Sequence, residues 1–325
     1  MNIVSKETVQ KLYDEKEQKA VKVSKFVKAI FYSTLFLTII SIIAVFAIDI
    51  PFFPTFFLIL IIDFLLMSSM PYIAAFIASK KDYGIKKALK IGRFINKYAH
   101  LHGIKSREIC SDAFLSQINM CMTTERKHFN RFSLLLSRFY TFILRNDAQM
   151  TYNDLAEAEK MFNPKENILT DMLYMRFNFV IHFGSTTDFY KLLDENPDIY
   201  EISNKNYQSI ISYISLVIYD RYVSGDLEGA LEQLEVWIYF VEKDLDGKAQ
   251  SPNLNINFYQ HSSLYLDKAR YLYELGKIDE AKEAMDTSDK IITKLTCDVP
   301  PYYTSEHKEI MNKLYPIEQN SAELD

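Results

Sequence analysis

Helix-breaking residues are scarce in this chain: 8 of 325 residues are glycine and 9 are proline. That disfavours a turn-rich β fold. Cysteine is scarce too. Cys110, Cys121 and Cys297 form no C-x-x-C pair, so neither a disulfide framework nor a zinc knuckle is expected, and the pattern fits a reducing compartment. The phosphate-cradling motifs G-x-x-x-x-G-K-[ST] and G-x-G-x-x-G are missing, as is H-E-x-x-H. His100 and His102 would lie on different faces of a helix, which disfavours joint metal ligation. Cys110, Cys121 and His128 recur at helical spacing and suit a buried face. The expectation is a protein that is not an enzyme and holds neither cofactor nor metal.

The net charge of −5 conceals two halves of opposite sign. Residues 1–97 carry 14 Lys/Arg against 7 Asp/Glu, a balance of +7, and residues 98–325 carry 23 against 35, a balance of −12. An acidic body lacks the clustered cations that phosphate contacts need, so nucleic acid is not an expected partner.

Long apolar runs are concentrated near the start. Ala29–Ile48 has no charge, and Thr55–Ala78 has only Asp63; "DIPFFP" with Pro51 and Pro54 lies between them. A run of about 20 apolar residues matches a membrane-crossing helix. Two such runs around a proline turn predict a transmembrane hairpin. Lysines and Arg93 flank both outer ends and none lies between the runs. That places both termini on the cytoplasmic side of a cell membrane, with the lipid bilayer as one partner. Matching depths along the hairpin sets Asp63 level with Thr38, on the face of Thr34, Thr38 and Ser41. Three roles for Asp63 stay open: a hydrogen bond to that stripe, a contact with an integral membrane partner, or part of a proton path.

From about residue 85 onward the apolar spacing is helical almost throughout. An internal similarity appears when Gly225 is set on Gly276: Leu227 matches Ile278, Glu228 Asp279, Ala230 Ala281 and Leu234 Met285. "YLYELGKIDEAKEAM", with Ala269, Leu272, Gly276, Ile278, Ala281 and Met285, resembles the tetratricopeptide repeat. The spacing of Gly184, Gly225 and Gly276 is 41 and then 51 residues rather than the family's 34, and Tyr265 stands at the signature tryptophan position. "RFYTFILRNDAQMTYNDLAEAEKMF" offers a further divergent hairpin.

The resemblance implies a curved stack whose first helices line a concave face. Projected onto this chain, that face holds Tyr174, Asn178 and His182, then Ser215, Tyr219 and Tyr222, then Arg270 and Tyr273. Tyrosine suits peptide binding, although aromatic stripes at this spacing also serve packing between repeats. The expected fold class is all-α: an N-terminal transmembrane helical hairpin followed by a cytosolic tetratricopeptide-like α-solenoid. Its parts are a charged segment (1–25), the hairpin (26–79), connecting helices (80–126), repeats (127–296) and a C-terminal capping helix and tail (297–325). The expected function is a membrane-anchored scaffold or adaptor that binds a protein or peptide. The alternatives are an accessory subunit of a transport or peptide-export system acting through the hairpin, and a peptide-sensing regulator.

Overall fold

The computed structural model describes residues 1–47, 111–126, 128–161, 169–205, 207–246, 254–295 and 298–316, with isolated positions between 57 and 69. All regular structure among these residues is α-helical: α1 (Lys6–Ala47), α2 (Asp112–Thr124), α3 (His128–Leu144), α4 (Ala148–Lys160), α5 (Leu169–Phe183), α6 (Thr186–Asp194), α7 (Ile199–Ser203), α8 (Tyr207–Val223), α9 (Leu227–Asp246), α10 (Leu254–Glu274), α11 (Ile278–Ile292) and α12 (Pro301–Leu314). The chain divides into two compact units, one of Met1–Val9 with Phe94–Asp325 and the other of Gln10–Arg93.

The expected two-span hairpin, and with it the placement in a cell membrane, is corrected. Among the described residues no helix is long and apolar enough to cross a membrane. The charged segment and the first apolar run are one 42-residue helix, α1, with lysines from Lys6 to Lys28. The second run is described only at Phe57, Leu58, Ile61, Leu65 and Ser69, and the rest of it lies outside the described residues. Thr34, Thr38 and Ser41 lie on α1, whereas Asp63 is outside the described residues.

The first unit is a succession of packed adjacent helix pairs, α3 with α4, α5 with α6, α8 with α9 and α10 with α11. Three of the pairs share one turn. At Gly225 the N–H of Asp226 donates to the Arg221 carbonyl (2.9 Å) and that of Gly225 to the Tyr222 carbonyl (3.1 Å). At Gly276 the N–H of Lys277 donates to the Leu272 carbonyl (2.9 Å) and that of Gly276 to the Tyr273 carbonyl (2.9 Å). At Asn146 the N–H of Asp147 donates to the Phe142 carbonyl (3.0 Å) and that of Asn146 to the Ile143 carbonyl (2.9 Å). This double bond closes a helix when the residue after it is left-handed, and φ is 83°, 76° and 56° at Gly225, Gly276 and Asn146. Five residues beyond each turn stands a side chain with zero exposure: Thr151, Ala230 and Ala281. Small residues there let the second helix lie close against the first.

Asp226 and Asp147 both follow the left-handed residue and cap the next helix, accepting the N–H of Gly229 (3.0 Å) and of Met150 (3.0 Å). The last pair is completed by α12: Tyr303, Ile310 and Leu314 join Leu266, Ala269 and Leu272 of α10 and Ala281, Ala284 and Met285 of α11 in one buried cluster.

The shared turn yields a paired test. Asparagine tolerates the left-handed region less well than glycine, so Asn146→Gly is expected to stabilise the chain by about 0.5–1 kcal/mol, and Gly276→Ala to destabilise it by about 1–2 kcal/mol. An added Cβ at Gly276 meets nothing within 4 Å, so that cost is wholly backbone. Urea midpoints moving in opposite directions for the two variants are the expected result; a neutral Gly276→Ala would contradict the left-handed assignment.

Candidate functional site

The residues expected to line a concave face fall on α5, α8 and α10, and the structure gives them partners within the chain. Tyr174 is buried; its hydroxyl shares a hydrogen bond with Ser203 Oγ (2.6 Å) and donates to the Ser209 carbonyl (3.0 Å). Asn178 donates to the Tyr174 carbonyl (2.7 Å) and to the Tyr140 hydroxyl (3.3 Å). Ser215 donates to the Ser212 carbonyl of its own helix (2.6 Å). Tyr219 packs edge-on to Phe189, with ring centres 4.8 Å apart. Tyr222 stacks on Tyr271 (5.1 Å) and donates to Glu274 (3.1 Å). Tyr273 packs against the α10–α11–α12 cluster.

Helix α12 supplies the remaining contacts. Its Glu306 pairs with Arg270, and its Tyr302 sets a ring edge-on to His182 at 5.0 Å. Burial lowers the His182 pKa to about 4, which favours the neutral imidazole, and its Nδ1 is buried. On this face Tyr174, Asn178 and Tyr222 hydrogen-bond to neighbouring helices and Arg270 pairs with Glu306, while Ser215 bonds within its own helix.

A different constellation lies where α8 and α9 pack side by side, and the N-terminal segment is seated on it. The Met1 ammonium donates to Asp220 Oδ2 at 2.9 Å. The Asn2 N–H donates to the Tyr213 hydroxyl at 3.2 Å. Gln233 then grips both peptide groups of Val4: its Oε1 accepts the Val4 N–H (3.0 Å) and its Nε2 donates to the Val4 carbonyl (3.2 Å). Lys6 places Nζ 3.6 Å from the centre of the Tyr239 ring, a cation–π contact.

These partners come from regular positions of the helix pair. Tyr213 and Asp220 are seven residues apart on α8 and share a face; Gln233 follows Ala230 by three on the packed face of α9. Tyr213 and Gln233 are 1% exposed and Asp220 8%. A polar side chain so deeply placed is costly unless hydrogen-bonded, and the N-terminal segment supplies those bonds. Burial, with Tyr200 and then Asp220 adding to it against the Asn2 hydrogen bond, pushes the Tyr213 hydroxyl up to about 12, so it stays a neutral donor and acceptor. Burial and then Asp220 raise the Tyr190 hydroxyl of α6 in the same way.

The sequence carries a signal for this site that its apolar pattern hides. Asp220 in "VIYDRY" and Gln233 in "EQLEVW" occupy buried register positions within apolar helices. What they hold is separated from them by 219 and 229 residues, so no local pattern could point to it.

Among the described residues no group of three or more His, Cys, Asp or Glu could hold a metal ion. No family model, no curated protein and no solved structure matches the chain.

Proposed function

We propose that this chain is a helical-repeat scaffold of tetratricopeptide-like type that binds a protein or peptide as an extended segment. One observation carries the reading: the α8–α9 pair holds a backbone segment outside regular structure, taking both peptide groups of Val4 and the N–H of Asn2. Main-chain bonds of this kind give affinity without fixing the sequence, and flanking pockets add selectivity. The role proposed is binding rather than catalysis.

The test uses the full chain carrying Val4→Asp, which places a charge where a 1%-exposed valine stands and so vacates the seat. A random heptapeptide library presented to this variant is expected to yield binders whose retention falls at least tenfold when Gln233→Ala is added. A library that gives the same yield with Gln233→Ala, or no binders, overturns the proposal.

A further inference from the structure

The second half of α1 leaves large apolar side chains uncovered. Tyr32, Leu35, Phe36, Ile39, Ile40 and Ile43 are 42% to 65% exposed. Tyr32, Phe36, Ile39 and Ile43 follow one another at intervals of four, three and four residues, which are the a and d positions of a heptad. Leu35 and Ile40 take the g and e positions beside them. At 3.6 residues per turn the six positions fall within an arc of about 140° on one side of the helix. No charged residue interrupts α1 between Ala29 and Ala47.

The size of this stripe matches a partner helix. Six such side chains, each about half exposed, leave roughly 600 Å² of apolar surface. That is the upper end of what a monomer leaves open, about 300–600 Å². It approaches the roughly 800 Å² that each partner gives to a standard interface.

The charges beside the stripe fix a direction. Carried toward the start of α1, the same a and d positions reach Lys25 and Lys22, both exposed. A parallel pair of such helices would set Lys22 against Lys22 and Lys25 against Lys25, and like charges so opposed are costly. It would also set Phe36 against Phe36 and Tyr32 against Tyr32. An antiparallel pair sends the lysines of the two copies to opposite ends. It sets Tyr32 against Ile43 and Phe36 against Ile39, so that each aromatic ring faces a smaller aliphatic chain, the alternation that fills a seam without voids. In that arrangement the stripe is its own complement, as a two-fold interface requires.

We propose that α1 is a homodimerisation helix, with the stripe from Tyr32 to Ile43 packed antiparallel on the same stripe of a second copy of this chain. The interface uses no residue of α8 or α9 and stands apart from the scaffold reading.

The test is sedimentation equilibrium of the full chain in detergent-free buffer over a wide range of concentration. A dimer is expected, and Phe36→Glu combined with Ile39→Glu should raise its dissociation constant at least a hundredfold. Phe31 is exposed as well but holds a c position outside the arc, so Phe31→Glu should leave the dimer intact. Circular dichroism checks the helix content of each variant; should the two glutamates lower it, Phe36→Ala with Ile39→Ala replaces them, since alanine favours the helix. Direction is read by oxidative crosslinking, with the disulfide located by mass spectrometry. A Tyr32→Cys chain mixed with an Ile43→Cys chain should form a disulfide between those positions, and neither should crosslink there to itself.

A chain that is monomeric at every concentration overturns the proposal. So does a dimer that the stripe variants leave intact or that Phe31→Glu dissolves as readily. A disulfide between two Tyr32→Cys chains overturns the antiparallel arrangement. A chain that stays dispersed only with detergent or lipid vesicles has lipid as the occupant of the stripe, and the second-copy proposal falls.

Discussion

Replacing Gln233 with leucine detaches the first residues of the chain from the helices that hold them. Leucine fills similar space but offers no hydrogen bond, so the Val4 N–H and carbonyl lose partners at 3.0 and 3.2 Å. Val4 is 1% exposed, and each buried backbone group left unpaired costs about 1–3 kcal/mol. The expected loss is about 2–4 kcal/mol for the seated segment. Most of it appears as local opening, because the segment can leave while α8 and α9 stay packed. Amide exchange at Asn2 and Val4 should therefore quicken by roughly 30- to 1,000-fold, while exchange within α10 and α11 stays near its wild-type rate. Unchanged exchange at Val4 would mean that Gln233 does not hold the segment.

Acidification should destabilise the first unit through His182. Burial lowers the folded imidazole to about 4 from an ordinary 6.5. Between those values the unfolded chain binds a proton that the folded chain refuses. Stability from this group is therefore complete above pH 6.5 and falls as pH drops through the window toward 4. The full window is worth about 3 kcal/mol. His182→Phe keeps an aromatic ring against Tyr302 and removes the titrating group. The expected result is that the wild-type urea midpoint falls more steeply than that of His182→Phe between pH 7 and pH 4.5. Parallel curves would show that His182 is solvated in the native state.

Much of the helix content was legible in the sequence, because a period of 3.6 is a local property and few glycines or prolines interrupt it. The two best hairpins were legible for a similar reason: Gly225 and Gly276 sit where a left-handed residue must close a helix. The hairpin at Asn146 was harder to see. Asparagine can adopt the same φ, 56°, but also many others, so only the backbone shows the turn. The expected concave face comes from the tetratricopeptide resemblance projected onto helix register. Register identifies which residues share a side of a helix, and it is silent on what arrives opposite them. In this fold α12 arrives, with Tyr302 against His182 and Glu306 against Arg270.

The transmembrane hairpin is the expectation the structure overturns: among the described residues no helix is long and apolar enough to cross a membrane. The helix that contains Ala29–Ala47 begins at Lys6 and is charged along its first half.

By itself, then, the sequence determined an all-helical chain, the small residues Ala230 and Ala281 at which paired helices meet, and the glycine turns before them, since each depends on neighbours a few residues away. Only the tertiary structure decided that Met1–Val4 lies on α8 and α9. That contact joins residues 229 apart through backbone groups that every residue but proline possesses, and a hydrogen bond to a backbone leaves no mark on the sequence of the segment it holds.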